Sequence, residues 1–148
     1  MKLHRTIILC SAIFSNLAAL ACTNFIAGRK ATTDGSIMVT YADDSYTRFG
    51  DLFHSPRGKH APGSMRKVTD WGDNSPRGEI PQASETYNVV GNMNEHQLVI
   101  GETTWTGHKE LADTTGVSML DYGSLIYITL ERCTTAREAI KMMGDLVE

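Results

Sequence analysis

The sequence lacks the patterns that most directly assign a metal, a nucleotide or a nucleic acid to a protein. It has no run of basic residues and a formal net charge of −3, so nucleic acid is not predicted as a partner. It has no phosphate-binding loop, no Gly-x-Ser-x-Gly motif and no His-Glu-x-x-His or paired-cysteine motif, and its histidines are scattered. We therefore predict no metal and no cofactor.

Long hydrophobic runs are also absent, since no stretch reaches the roughly 18–20 apolar residues of a membrane span. The N-terminus instead has the pattern of a signal peptide. It has a short basic start, an uncharged apolar stretch over residues 6–21, and the small residues Ala19 and Ala21 before the expected cleavage point. We therefore predict that residues 1–21 are a signal peptide, that the chain is exported to the periplasm or secreted, and that Cys22 becomes its first residue.

Cysteine is scarce. Of the three cysteines, Cys10 leaves with the signal peptide, and only Cys22 and Cys133 remain. Two cysteines in an exported protein can pair, but nothing else here indicates a small disulfide-stabilised fold. Cys133 lies in a helical pattern, where we expect a buried thiol. With metal and serine-nucleophile motifs missing, Cys22 is the candidate nucleophile.

A cysteine at the start of a chain carries an α-amine beside its thiol. The ordinary pKa is about 8.5 for the thiol and about 7.7–8.0 for the amine, so near neutral pH part of the amine is unprotonated. That amine can accept the thiol proton and later donate it to a leaving group, so no histidine is required. A nearby carboxylate such as Asp44 could hold and orient the ammonium form.

Two other interpretations of Cys22 stay open from the residues alone. It could be an inert residue beside a cleavage site. It could also be lipidated, although the usual bacterial lipoprotein signal has Leu three residues before the cysteine, where this chain has Ala19 and places Leu20 one residue later. Lipidation would block the amine, and the chain would then be a non-catalytic, lipid-anchored binding module.

The mature chain begins with a predicted β-hairpin. Residues 23–28 and 36–41 have strand-like patterns, and an Asp-Gly pair between them is a strong turn signal. Antiparallel pairing of the two strands returns the end of the second strand to Cys22. The acidic residues Asp43 and Asp44 are therefore expected near the new N-terminus.

The rest of the chain predicts an α+β fold. Residues 45–84 hold all four prolines, so we predict a long loop with short strand pieces, either the wall of a site or an ordered surface excursion. A second hairpin is predicted over residues 87–104, with its turn at 94–96. Helices are predicted over 125–132 and after a Thr-x-x-Glu capping box at 135–138. This order indicates an antiparallel sheet with helices packed on it.

Several segments of the mature chain resemble the dipeptidase A family of cysteine peptidases. These enzymes belong to the N-terminal-nucleophile (Ntn) hydrolases and are related to penicillin V acylase and bile salt hydrolase. The segments that resemble them are residues 22–26, 33–36, 39–45, 78–83, 89–96, 100–104, 121–127 and 135–140. The resemblance therefore covers nearly all of residues 22–148.

The resemblance implies an αββα sandwich and hydrolysis of dipeptides or short peptides through a thioester at Cys22. Asp44 matches the aspartate that supports the nucleophile in the related acylases. Those relatives have an arginine three residues earlier, where this chain has Tyr41. An amidase acting on acylated amines, as in the acylases, is the alternative. Because family chains are longer and this one stops within a helical pattern, residues 22–148 are interpreted as the N-terminal portion of an Ntn-hydrolase domain.

Overall fold

The computed structural model describes residues 22–44, 52–103, 108, 110 and 118–148. These residues belong to two compact units. The first unit contains residues 22–44 together with Thr103, and the second contains the other described residues. The predicted signal peptide and the first part of the predicted loop, up to residue 51, lie outside the described residues.

The first unit is built on a two-stranded antiparallel sheet. Strand β1 (Thr23–Ala27) pairs with β2 (Met38–Ala42) in a register that sets Thr23 opposite Ala42. In the connection, Gly35 has a φ of 75°, which glycine adopts without steric cost. The predicted hairpin is therefore confirmed, with strand bounds that differ by one or two residues.

The described residues of the second unit form seven further strands, β3 (His54–Ser55), β4 (Gly58–Lys59), β5 (Met65–Thr69), β6 (Pro76–Pro81), β7 (Glu85–Thr86), β8 (Val89–Val90) and β9 (Met93–Asn94). Within this described part the strands form small antiparallel sheets: β3, β8 and β9 make a three-stranded sheet, β4 pairs with β7, and β5 pairs with β6. Strands and helices together confirm a mixed α+β composition, and the αββα sandwich stays a prediction.

The predicted loop with short strand pieces is confirmed in part over its described residues, 52–84. Strands β3 and β4 are short pieces of this kind, whereas β5 and β6 form a hairpin that was not predicted. Two of the four prolines that suggested a loop lie at the two ends of β6, where Pro76 faces Thr69 and Pro81 faces Met65. A missing N–H is tolerated best at strand ends and edges, so prolines at these positions are compatible with a strand. The turn of this hairpin includes Asn74, which has a φ of 59°.

The second predicted hairpin is confirmed in part. Its first strand is divided into β8 and β9, because the chain turns at Gly91, which has a φ of 53°. Met93 then forms an isolated antiparallel bridge with Val99, which supports the predicted turn at residues 94–96. Thr104, at the end of the predicted hairpin, lies outside the described residues.

Both predicted helices are confirmed, as α1 (Tyr122–Leu130) and α2 (Ala136–Val147). The carboxylate of Asp121 accepts a hydrogen bond from the Ser124 N–H (2.7 Å) and so caps α1. The capping box at the start of α2 is also present. Hydrogen bonds from Thr134 and Thr135 hold the pKa of the Glu138 carboxyl below its ordinary value.

The core of the second unit lies between the β8–β9 region and the two helices. Its buried members are Val89, Leu98, Ile126, Tyr127, Leu130, Cys133 and Ala139. Burial raises the pKa of the Cys133 thiol, and this cysteine forms no disulfide. The prediction of a buried thiol at Cys133 is therefore confirmed. No helix in the described part of the chain has the length and hydrophobicity that a membrane crossing requires.

Candidate functional site

Cys22 lies immediately before β1, at the end of the hairpin where β2 finishes. Thr23 pairs with Ala42, so the residue before β1 and the residues after β2 are neighbours in space. This confirms the predicted return of the second strand to Cys22, and it places Asp43 beside that residue. A strand-supported position also suits a nucleophile, because regular elements hold side chains more reproducibly than loops do.

Asp43 is the acidic residue whose contact with the Cys22 side chain is resolved. The Cys22 Sγ lies 3.9 Å from Oδ1 of Asp43, at the distance of a weak thiol–carboxylate hydrogen bond. The register explains this pair, since extending the ladder one step beyond Thr23 and Ala42 sets Cys22 opposite Asp43. A carboxylate here favours the protonated form of a neighbouring thiol, and it equally favours an ammonium group over an amine.

Asp44, the predicted supporting carboxylate, follows Asp43 and is exposed. Asp44 therefore lies at the same end of the hairpin as Cys22, but the carboxylate that contacts the Cys22 sulfur is that of Asp43. The role of Asp44 stays a prediction. Tyr41, where the related acylases have arginine, lies within β2 opposite Asn24.

Thr103 is a residue of this site although nothing in the sequence links it to Cys22; it lies in the segment 100–104 that resembles the family. Its hydroxyl donates a hydrogen bond to the carbonyl oxygen of Cys22 at 3.2 Å, across a separation of 81 residues. Because this bond holds the backbone of Cys22, Thr103 can help to orient the thiol. Only the fold reveals this contact.

The arrangement offers a thiol, a carboxylate and a hydroxyl that holds the backbone. Removal of the residues before Cys22 would add an α-amine to this group, attached to the same Cα as the thiol side chain. Such a pair can carry out nucleophilic attack with its own general base. Among the described residues, no group of three or more His, Cys, Asp and Glu side chains is placed to hold a metal ion.

Comparison with known proteins gives one match. The sequence model of peptidase family C69 matches residues 21–66 and 52–148, which together run from residue 21 to the last residue of the chain. Neither the curated proteins nor the solved structures gave a match. The matched range includes Cys22, Asp43, Asp44 and Thr103.

Proposed function

Because the chain belongs to peptidase family C69, the dipeptidase A family of cysteine peptidases, we propose that it hydrolyses dipeptides and short peptides with the Cys22 thiol as nucleophile. Family membership itself makes the chain a peptidase, and therefore a hydrolase that acts on peptides. The observation that carries the finer proposal is the position of Cys22 at the start of β1, with Asp43 3.9 Å from its sulfur.

The proposed reaction begins when the bond between Ala21 and Cys22 is cleaved. The new α-amine accepts the thiol proton, and the thiolate attacks the carbonyl carbon of the scissile peptide bond. The resulting tetrahedral intermediate collapses to a thioester as the C–N bond breaks, and the leaving amine takes the proton. Water, deprotonated by the same α-amine, then hydrolyses the thioester and regenerates the thiol.

The proposal includes export and an Ntn-type active site. It follows from the signal-peptide pattern of residues 1–21 and from the family resemblance of residues 22–148, which we propose to be the N-terminal portion of an Ntn-hydrolase domain. Signal-peptide cleavage would then also activate the enzyme, since it creates the base. Asp44 is proposed as the carboxylate that holds the ammonium form, with Asp43 setting the local charge beside the sulfur.

A substrate panel tests the proposed activity. We expect hydrolysis of dipeptides, weaker hydrolysis of longer peptides, and little or none of phenoxyacetyl or bile-acid amides, measured as release of the free amine. A preference for the acylated amines would replace the dipeptidase proposal with the amidase alternative. An intact mass that shows a diacylglyceryl group on Cys22, with no peptidase activity, would support the lipid-anchored module instead.

The two acidic residues after β2 are expected to have different kinetic roles. Asp43→Asn removes a negative charge beside the sulfur, so the profile of kcat/KM against pH should move to lower pH, because the thiol and the amine both lose their protons more readily. Asp44→Asn should lower kcat at every pH, by about tenfold or more, because it removes a charge-assisted hydrogen bond to the ammonium group.

Asp34→Asn is the matched control for both variants. Asp34 is an exposed carboxylate in the connection between β1 and β2, at the opposite end of the hairpin from Cys22. The Asp34→Asn variant should leave kcat and the profile of kcat/KM against pH unchanged. An unshifted profile in Asp43→Asn would contradict the proposed position of its charge, and wild-type kcat in Asp44→Asn would exclude its supporting role.

A further inference from the structure

A pocket in the second unit lies between β3, β5 and α1. Its volume is about 350 Å³, within the range of roughly 300–1,000 Å³ that is usual for small-molecule sites. Aromatic side chains form one part of its lining, and charged side chains form another. We call it the aromatic–arginine pocket, after the lining residues Phe53, Trp71, Tyr127 and Arg66.

The aromatic part of the pocket is held in place from several directions. The Tyr127 ring lies 4.0 Å from the Phe53 ring and 4.4 Å from the Trp71 ring, measured between centroids. Trp71 packs so closely on Gly123 that a Cβ at that position would clash with the Trp71 side chain. The backbone N–H of Trp71 also donates a hydrogen bond to the carboxylate of Asp121. This aromatic wall therefore provides a preformed surface for an apolar group.

The charged part of the pocket contains a buried ion pair. The Glu131 side chain is only 6% exposed, and its Oε1 accepts hydrogen bonds from Ser55 Oγ (3.0 Å) and Arg66 Nη2 (3.2 Å). The Nε atom of Arg66 is buried and has no hydrogen-bond partner among the described residues. A guanidinium can donate five hydrogen bonds, so Arg66 retains capacity to bind a second acceptor.

Positive charge exceeds negative charge around this ion pair. Arg132 lies beside it, half-buried, and burial together with the like charge of Arg66 holds the pKa of Arg132 below its ordinary value. Arg66 and Lys67 are the two Arg and Lys residues of the lining, whereas Glu131 is the one carboxylate among the residues that line this pocket. Buried charge is tolerated when it is paired, so this surplus favours an anionic ligand over a cationic one.

We propose that the aromatic–arginine pocket binds the carboxylate of a small acid that carries an apolar or aromatic group, as at the C-terminus of a short peptide. Arg66 pairs with the ligand carboxylate, and the apolar group packs on Phe53 and Trp71, which are only partly buried. An amine is disfavoured because the lining holds two cations, Arg66 and Lys67, and one carboxylate, Glu131. The proposal concerns binding alone, so it goes beyond the peptidase activity and is independent of Cys22.

Three ligands of nearly equal size test the proposal on the wild-type protein. They are 3-phenylpropanoate, 3-phenylpropanamide and 3-phenylpropylamine, which share one ring and differ in charge, and titration calorimetry gives their dissociation constants. We expect the acid to bind about tenfold or more tightly than the neutral amide, because a charge-assisted hydrogen bond is roughly twice as strong as a neutral one. Equal binding of acid and amide, or tightest binding of the amine, would overturn the proposal.

Variants then locate the site. Arg66→Gln should weaken binding of the acid to the level of the amide, while Arg57→Gln serves as the control, because Arg57 pairs with Glu85 at an exposed position (2.8 Å). Trp71→Leu should weaken the binding of all three ligands. If Arg66→Gln does not fold, the proposal is tested by binding of the acid to Arg66→Lys and by the ranking of the three dissociation constants on the wild-type protein. Unchanged acid binding in a folded Arg66→Gln would place the ligand elsewhere.

Discussion

Cys22→Ser lowers kcat/KM for dipeptides by about three orders of magnitude or more, since removal of a nucleophile abolishes the covalent route and leaves only binding and electrostatic effects. A serine hydroxyl is a much weaker nucleophile than a thiol near neutral pH, because almost none of it is ionised. The variant keeps the shape of the side chain, so the β1–β2 hairpin and the backbone bond from Thr103 should persist. The decrease in kcat/KM is measured in discontinuous assays of the free amine that is released.

Cys133→Ala is the matched control for the nucleophile. Cys133 is the other described cysteine, and its thiol is buried in the core of the second unit, where burial raises its pKa. Its substitution should leave kcat/KM per folded molecule unchanged, with folding checked by thermal unfolding. Dipeptide hydrolysis by Cys22→Ser at the wild-type rate would show that Cys22 is not the nucleophile.

Asn94→Ala destabilises the second unit by about 3–5 kcal/mol, because it leaves several buried backbone groups without hydrogen bonds. The Asn94 side chain donates to the carbonyl oxygens of Leu130 (2.9 Å) and Cys133 (2.7 Å), at the end of α1. Its Oδ1 accepts from the N–H groups of His96 (3.0 Å) and Leu98 (3.1 Å). One side chain therefore joins the turn after β9 to the helix C-terminus.

Denaturant unfolding measures this effect, and Asn92→Ala provides the comparison. Asn92 lies two residues earlier, is partly buried, and donates one hydrogen bond, to the Ile100 carbonyl at 2.7 Å. Its loss should reduce the free energy of unfolding by only about 1 kcal/mol. Equal effects from the two variants would mean that the network around Asn94 does not hold the turn to the helix.

Local signals predicted the elements whose stability is decided locally. The Asp-Gly turn and the flanking strand patterns gave the β1–β2 hairpin, and the capping box at Thr135 and Glu138 gave α2. Helix α1 was predicted although its β-branched residues favour strand. Residues 126–130 are all buried in the second unit. The helix therefore forms because packing outweighs the strand propensity of these residues.

The sequence could not predict contacts that depend on register or on distant segments. The connection between the strands, residues 28–37, is compatible with several pairings, and only the observed register sets Cys22 opposite Asp43. The bond from Thr103 joins residues 81 positions apart. The β5–β6 hairpin was not predicted because Pro76 and Pro81 were counted as loop residues. Both lie at the ends of β6, where proline is compatible with a strand.

We propose that Cys22 is an active nucleophile only when it is the first residue of the chain, because its own α-amine is then the base. The most direct measurement compares dipeptide hydrolysis by protein that begins at Cys22 with hydrolysis by the same protein retaining Ala21 in front of it. We expect activity in the first protein and a loss of about a hundredfold or more in the second, because the second lacks the general base. Equal rates in the two proteins would contradict it.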